Sequence, residues 1–473
     1  MSAQAGSGLL TEVAACDEPD EGYRRGLRSR QIQMMAMGSA IGVGLFYGSG
    51  EAIAAAGPAV VVSFLVAGTV AFLVMRALGE LVVYRPTSGS VMDYAREFLG
   101  PFAGFATGWS YWIAAVTACM AEVTAAGHYI DYWFPQVPVP VTAAVALSIL
   151  LLANFLSVRL FGELEFWFAS IKVIAVVLLL LLGSAVLAFH FSPLGPSASV
   201  ANLWQHGGFA PHGGWQAVSV LVAAFFAYTG IELVASTAGE AVDPRTTLRT
   251  AIRLLPLRIG VVYVGSIAVL LALMPWDRYA ADGSPFVEVF AGVGLPAAGG
   301  VMNFVVLTAA LSGCNANMYV ASRLVRRLSV EGEAPSAFQR LNSRHVPAPA
   351  LALTVAVIAL GALVNVAAPE TAFALFTAVA TCAVLCGWTV IVWCHLRYRA
   401  AVRAGRLPRN DFPMPGAPVT SWFALACIGL IVVLLARNPE TRPALVVGAG
   451  WTLALTVSYA LLNRAPKAGV SNG

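Results

Sequence analysis

Gly38-Ser39-Ala40-Ile41-Gly42-Val43-Gly44 sets three glycines in seven residues inside an otherwise apolar run. Each glycine in a helix interior costs about 1 kcal/mol relative to alanine, so a helix through this run is weakest here. A second apolar run loosens in a comparable way: Phe226-Ala227-Tyr228-Thr229-Gly230-Ile231-Glu232 places a glycine and a carboxylate near its middle. Matching weak points in two membrane helices are what an inverted-repeat transporter with two broken helices shows. Gly38 and Gly42 also fit a small-xxx-small packing face. Packing does not call for an equivalent position at Gly230, and that favours the break.

The sequence around these stretches excludes a soluble globular protein. Of 473 residues 59% are hydrophobic and 11% charged, with mean hydropathy +0.77, where soluble domains carry roughly 25% charged residues. At about 20 apolar residues per crossing, twelve spans are expected, at roughly 31–56, 58–84, 101–128, 138–156, 166–189, 215–238, 254–274, 297–320, 348–366, 372–396, 420–436 and 445–462. When the basic residues are assigned to alternate sides, nearly all fall with the N-terminal tail. Only Arg278, Arg437 and Arg442 fall opposite, and Arg76 and Lys172 lie inside spans. This asymmetry puts both termini in the cytoplasm and requires an even number of spans. The expected fold is therefore an all-α polytopic membrane protein with two oppositely directed five-helix repeats, at 23–190 and 215–399. An extracellular loop at 191–214 joins the repeats, and two further spans fill 400–463. Residues 1–22, with Glu12, Asp17, Glu18, Asp20 and Glu21, and 464–473 are expected to be cytoplasmic tails, and 1–22 disordered.

The net charge of +4 gives no argument for a nucleic-acid partner; the lipid bilayer is the expected surrounding. None of the seven cysteines falls in an outer loop, so no disulfide framework is expected. Cys382 and Cys386, one turn apart, lack the partners of a zinc site and read as packing residues. The six histidines are scattered, and no HExxH, paired intramembrane carboxylates or Ser/His/Asp set appears. With no metal, cofactor or catalytic cluster in view, moving a solute is favoured over transforming it.

A break at Gly42 to Gly44 would turn free N–H groups and the positive end of a half-helix dipole towards the cavity, suited to a carboxylate. Ala40, Gly42, Val43 and Gly44 are the candidates there. A break in the opposite-running sixth span would present carbonyls near Phe226, Tyr228 and Gly230 to an ammonium group. Together the two breaks fit the two ends of an amino acid zwitterion. Ionisable side chains inside spans cost about 2.5–3.5 kcal/mol each on insertion scales and are functional candidates by default. They are Lys172, whose alternative is snorkelling to the interface; Glu232, a proton or gating carboxylate or a cap for loose N–H groups; and Glu122, a pocket residue, a buried hydrogen-bond partner or a proton relay. Arg76 and Glu80, one turn apart, read as a local ion pair.

Arg25-Gly26-Leu27-Arg28-Ser29-Arg30-Gln31-Ile32-Gln33, then Gly38 to Phe46, resemble the opening of bacterial amino acid permeases of the amino acid–polyamine–organocation superfamily. Met75-Arg76-Ala77-Leu78-Gly79-Glu80, Phe161-Gly162-Glu163-Leu164-Glu165-Phe166-Trp167-Phe168, Ile171-Lys172-Val173 and Ala238-Gly239-Glu240 continue the match. It covers about Gly22 to Arg399 and is closest to the amino acid transporter branch with proline-specific, aromatic and 4-aminobutyrate permeases. The resemblance implies the twelve-helix fold of the leucine transporter class, in the bacterial cytoplasmic membrane, importing an amino acid together with a proton.

By the same resemblance, Lys172 bridges the first helix near Gly38 and the eighth around Ser312, standing where sodium-driven relatives hold their ion. Protonated Lys172 is expected to hold the outward-facing arrangement, and its deprotonation to release substrate. Phe226 would lie over the substrate and close the cavity. One departure is Val43, where the family usually has threonine or serine, so a hydroxyl near the substrate carboxylate is absent. The tenth span, 377–388, is expected to line the side-chain pocket and has no acidic residue, which argues against a cationic substrate, although Glu122 and Glu232 could supply a negative partner. A neutral amino acid such as proline is the favoured substrate. A proton-independent exchanger, or a carrier of aromatic, cationic or 4-aminobutyrate substrates, stays open, as does the oligomeric state.

Overall fold

The computed structural model describes residues 41–85, 87, 91–156, 158–232, 249–250, 252–280, 283–295 and 297–464. The tail 1–22, Gly38, Ala40, Ala238-Gly239-Glu240 and 465–473 lie outside the described residues. The principal helices are α1 (Val43–Phe46), α2 (Gly48–Ala56), α3 (Val60–Tyr84), α4 (Val91–Leu99), α5 (Pro101–Asp131), α6 (Val139–Leu156), α7 (Val158–Phe189) and α8 (Gly214–Ser219). They continue with α9 (Leu221–Ala227), α10 (Leu255–Leu273), α11 (Ala298–Val330), α12 (Ala348–Ala367), α13 (Pro369–Arg403), α14 (Val419–Arg437) and α15 (Arg442–Arg464). Among the described residues nine helical stretches are long and apolar enough to cross a membrane; Val139–Leu152 and Gly214–Ala227 are shorter apolar helices.

The helix starts follow from backbone chemistry. Proline occupies the first turn of α5, α12 and α13, where its missing N–H would have no partner in any case. The turn between α2 and α3 hinges on Gly57, whose φ of +60° a side chain would oppose. Residues 259–265 of α10 are wound as a π-helix, an irregularity that often accompanies functional sites.

α5 packs along α11 and α13, with α6 and α12 outside it. Hydrophobic driving force is weak between helices in lipid, so close packing and interhelical hydrogen bonds carry the association. Trp112 Nε1 donates to Thr354 Oγ1 at 3.2 Å, Asn154 Nδ2 to Asn315 Oδ1 at 2.7 Å, Asn365 Nδ2 to Thr124 Oγ1 at 2.9 Å and Asn303 Nδ2 to the Tyr129 carbonyl at 2.7 Å. The outer surface carries exposed Ile149, Leu152, Leu181, Leu363, Val366 and Leu453, an apolar exterior that calls for lipid.

At one end of the bundle the sequence reading needs a correction. Glu80 does not pair with Arg76. Its carboxylate accepts from His395 Nε2 at 2.9 Å and the Met414 N–H at 2.6 Å, and lies 3.2 Å from Arg399 Nε. Arg76 instead donates to the Pro413 carbonyl at 2.5 Å and lies over the Phe412 ring. The chain between α13 and α14 folds back over α3 and offers both residues stronger partners than each other. Replacing Glu80 with alanine strands a buried histidine and an arginine, and is expected to cost about 3–5 kcal/mol. Thermal unfolding in detergent checks this, with Glu80→Gln as the milder comparison.

Candidate functional site

α1 begins at Val43 because Gly42 before it is extended (φ −128°, ψ −168°). The N–H groups of Leu45 and Phe46 return to the Gly42 carbonyl at 3.1 and 3.2 Å. α9 stops at Ala227, and residues 228–232 continue as turns through Gly230 at φ +89°, a conformation that favours glycine. The two irregular segments touch: a Cβ added to Gly44 would stand 2.5 Å from Ala227 Cα. Only the lack of a side chain at 44 permits this backbone approach.

A cavity of about 70 Å³ lies between them, lined by Gly42, Val43 and Gly44 on one side and Phe226, Thr229, Gly230 and Glu232 on the other. Glu122 of α5, Glu165 and Lys172 of α7, and Gly313 and Asn317 of α11 complete the wall. Lys172, Glu165, Glu232 and Glu122 are 1%, 2%, 3% and 8% exposed, so three carboxyl groups and one amine share a single buried site. Glu165, then Glu122, are the opposite charges acting on Lys172. Ser312 Oγ donates to Glu165 Oε1 at 2.6 Å, and Asn317 Nδ2 lies 3.3 Å from Glu122 Oε2. Glu165 Oε2, Glu232 Oε2, Tyr111 Oη and Trp388 Nε1 are buried without a hydrogen-bond partner among the described residues.

Gly42, Val43, Gly44, Glu122, Lys172, Phe226, Gly230 and Glu232 thus meet at one cavity, and Ala40 lies outside the described residues. Tyr228 is placed differently. Its hydroxyl donates to the Phe64 carbonyl at 3.0 Å and its ring packs on Tyr263, away from the cavity. The carbonyls expected to meet an ammonium also have internal donors: Phe226 O takes the Thr229 N–H and hydroxyl at 3.0 and 2.7 Å, and Ala227 O takes the Tyr263 hydroxyl at 2.8 Å. Of the tenth-span residues, Ala380 and Val384 reach this cavity, whereas Thr377, Ala378 and Thr381 line a larger one of about 340 Å³. Phe226 lines both, with its ring edge-on to Phe373.

Sequence reasoning missed Glu165, Gly313 and Asn317. Glu165 stands seven residues before Lys172, two helical turns along the same face, a spacing that could have singled it out. Nothing in the local sequence marked the other two. Cys119, Cys314 and Glu122 bring ligand atoms within 4.8 Å of one another, close enough for a metal ion. The Cys119 thiol donates to the Cys314 carbonyl at 3.3 Å and the Cys314 thiol to Met318 Sδ at 3.8 Å, as packed thiols do.

The sequence pattern of the family described as "Amino acid permease" matches residues 31–467. The chain belongs to the amino acid permease family. It is 41% identical over 435 residues to the uncharacterized amino acid permease YtnA of Bacillus subtilis, covering 92% of this chain and 94% of that one. It is also 41% identical over 449 residues to the aromatic amino acid transport protein AroP of Escherichia coli K12, covering 95% and 97%. The probable threonine/serine transporter YbxG of Bacillus subtilis is 38% identical over 440 residues, covering 92% and 94%. Members of this family are transporters and not enzymes, and the apolar helices suit a multi-pass bacterial membrane protein.

In this permease, Gly44→Ala is expected to force α1 off Ala227 and cost about 1–3 kcal/mol through overpacking. Gly48→Ala meets open space and serves as the control. Thermal unfolding and amino acid uptake by the two variants in proteoliposomes check the difference.

Proposed function

We propose that the protein is a secondary active transporter that imports a small neutral amino acid across the bacterial cytoplasmic membrane by proton symport. In this reading the chain crosses twelve times, with oppositely directed repeats at 23–190 and 215–399 and both termini in the cytoplasm. The amino acid sits in the central cavity, its carboxylate towards the start of α1 and its ammonium towards the turns after α9. Glu232 and the other carboxyl groups are better placed than the occupied carbonyls to meet that ammonium.

One observation carries the proton: Lys172 is enclosed with Glu122, Glu165 and Glu232 around a single cavity. Unbalanced charge in a low-dielectric site is strongly disfavoured. Three carboxylates and one ammonium leave an excess of negative charge, which protons on these groups offset. A zwitterion entering with both charges intact rearranges that balance, which links its passage to proton uptake and release.

Cavity size carries the substrate class. The cavity between α1 and the turns after α9 is small, about 70 Å³. That favours an amino acid with a short side chain, such as alanine, serine, threonine or proline, over one as large as tryptophan. An aromatic substrate is the second reading, favoured by the similarity to AroP; it would need Phe226 to swing aside and join the two cavities.

Lys172→Met in proteoliposomes with an imposed pH gradient is expected to reduce uphill accumulation at least about tenfold, while counterflow of preloaded amino acid falls less. Uphill accumulation at the wild-type level would remove Lys172 from the coupling. Wild-type uptake indifferent to an uncoupler would favour an exchanger.

A further inference from the structure

The wall of the central cavity opposite the start of α1 and the turns at 228–232 is built around an unusual accommodation. Glu122 projects from α5 against Gly313 of α11. A Cβ added at 313 would lie 2.0 Å from Glu122 Oε1 and 2.7 Å from its carboxyl carbon. The glycine is what lets this carboxyl group lie across α11 at the cavity wall, and one turn further along Asn317 steadies it. Asn317 Nδ2 lies 3.3 and 3.5 Å from the two oxygens, at the long edge of hydrogen-bond range. A carboxylate offers about four acceptor sites, and Asn317 is the hydrogen-bond donor to Glu122 among the described residues. Acceptor capacity therefore remains at a position that lines the cavity.

The surrounding wall is small and apolar: Ala115, Ala118 and Ala316. A short side chain fits there, and the Glu122 carboxyl group, with Asn317 beside it, is the polar feature set in that wall. From this arrangement we infer that Glu122, Gly313 and Asn317 form the subsite for the substrate's side chain, and that it selects short side chains bearing a hydrogen-bond donor, such as a hydroxyl, over apolar isosteres. The inference rests on the central cavity being the amino acid site. It narrows the substrate class further than size alone does, because proline and alanine fit by size but have no side-chain donor to offer.

A site built to accept a hydrogen bond discriminates sharply against the analogue without the donor, since its buried acceptor is then left unmatched. Threonine and valine are isosteres and isolate the hydroxyl, while serine and alanine differ by that hydroxyl alone and form a second, smaller pair. Thermal-shift titration of the purified wild-type protein in detergent with these four amino acids gives their apparent dissociation constants, whichever amino acid is transported. Threonine is expected to bind at least about tenfold more tightly than valine, and serine than alanine. Glu122→Leu and Gly313→Ala are expected to bring both ratios towards one, while Glu122→Gln, which keeps an acceptor oxygen, retains part of the discrimination. Equal binding of each pair to the wild type, or ratios unchanged in Glu122→Leu, would overturn the inference and leave the amino acid site itself standing. Failure of all four to bind, together with no amino acid uptake in proteoliposomes, would overturn the site reading as well.

Discussion

The backbone approach of Gly44 to Ala227 sets the geometry of everything around it. With no Cβ at 44, α1 comes down directly on the last residue of α9, just where α1 begins and α9 ends. A side chain there would hold the irregular segments apart, and the polar backbone at membrane depth would lose the protein enclosure that makes it tolerable. Because the segments meet, the start of α1 and the turns at 228–232 share one cavity instead of opening on two.

Around that cavity the packing serves electrostatics. Small residues on α11 and α13 let side chains of α5 lie close: Gly313 makes room for the Glu122 carboxyl group, and Gly387 for the Tyr111 ring. The carboxyl groups are brought to the cavity by α5, α7 and the turns after α9, with Lys172 beside them on α7. Some are tied to neutral donors such as Ser312 and Asn317. Others, including Glu165 Oε2 and Glu232 Oε2, have no hydrogen-bond partner among the described residues. In the proposed function, groups so arranged would exchange partners when a proton or a zwitterion arrives, and coupling would consist of that exchange.

Much of this was legible in the sequence, for identifiable reasons. Glycines and charges inside apolar runs are costly, so Gly42, Gly44, Gly230, Lys172, Glu122 and Glu232 stood out against their surroundings, and all line the cavity. Partners distant in sequence were not legible. Glu80 and Arg76 are one turn apart and suggested an ion pair, yet His395, Arg399 and Met414 are the partners of Glu80 because the chain before α14 folds over α3. Tyr228 sits in the right segment, but its ring goes to Tyr263 and its hydroxyl to Phe64, a choice set by tertiary packing. Gly313 and Asn317 acquire meaning only through Glu122, which reaches them from another helix.

In the proposed function an amino acid is held in the space between the start of α1 and the turns at 228–232. Single cysteines at Thr229 and, separately, at lipid-facing Ile149, in a background freed of the seven native cysteines, allow labelling rates with a membrane-permeant thiol reagent to be compared with and without a transported amino acid. Protection at 229 with no change at 149 is the expected result. Labelling at 229 that is indifferent to an amino acid the protein demonstrably transports would contradict the account.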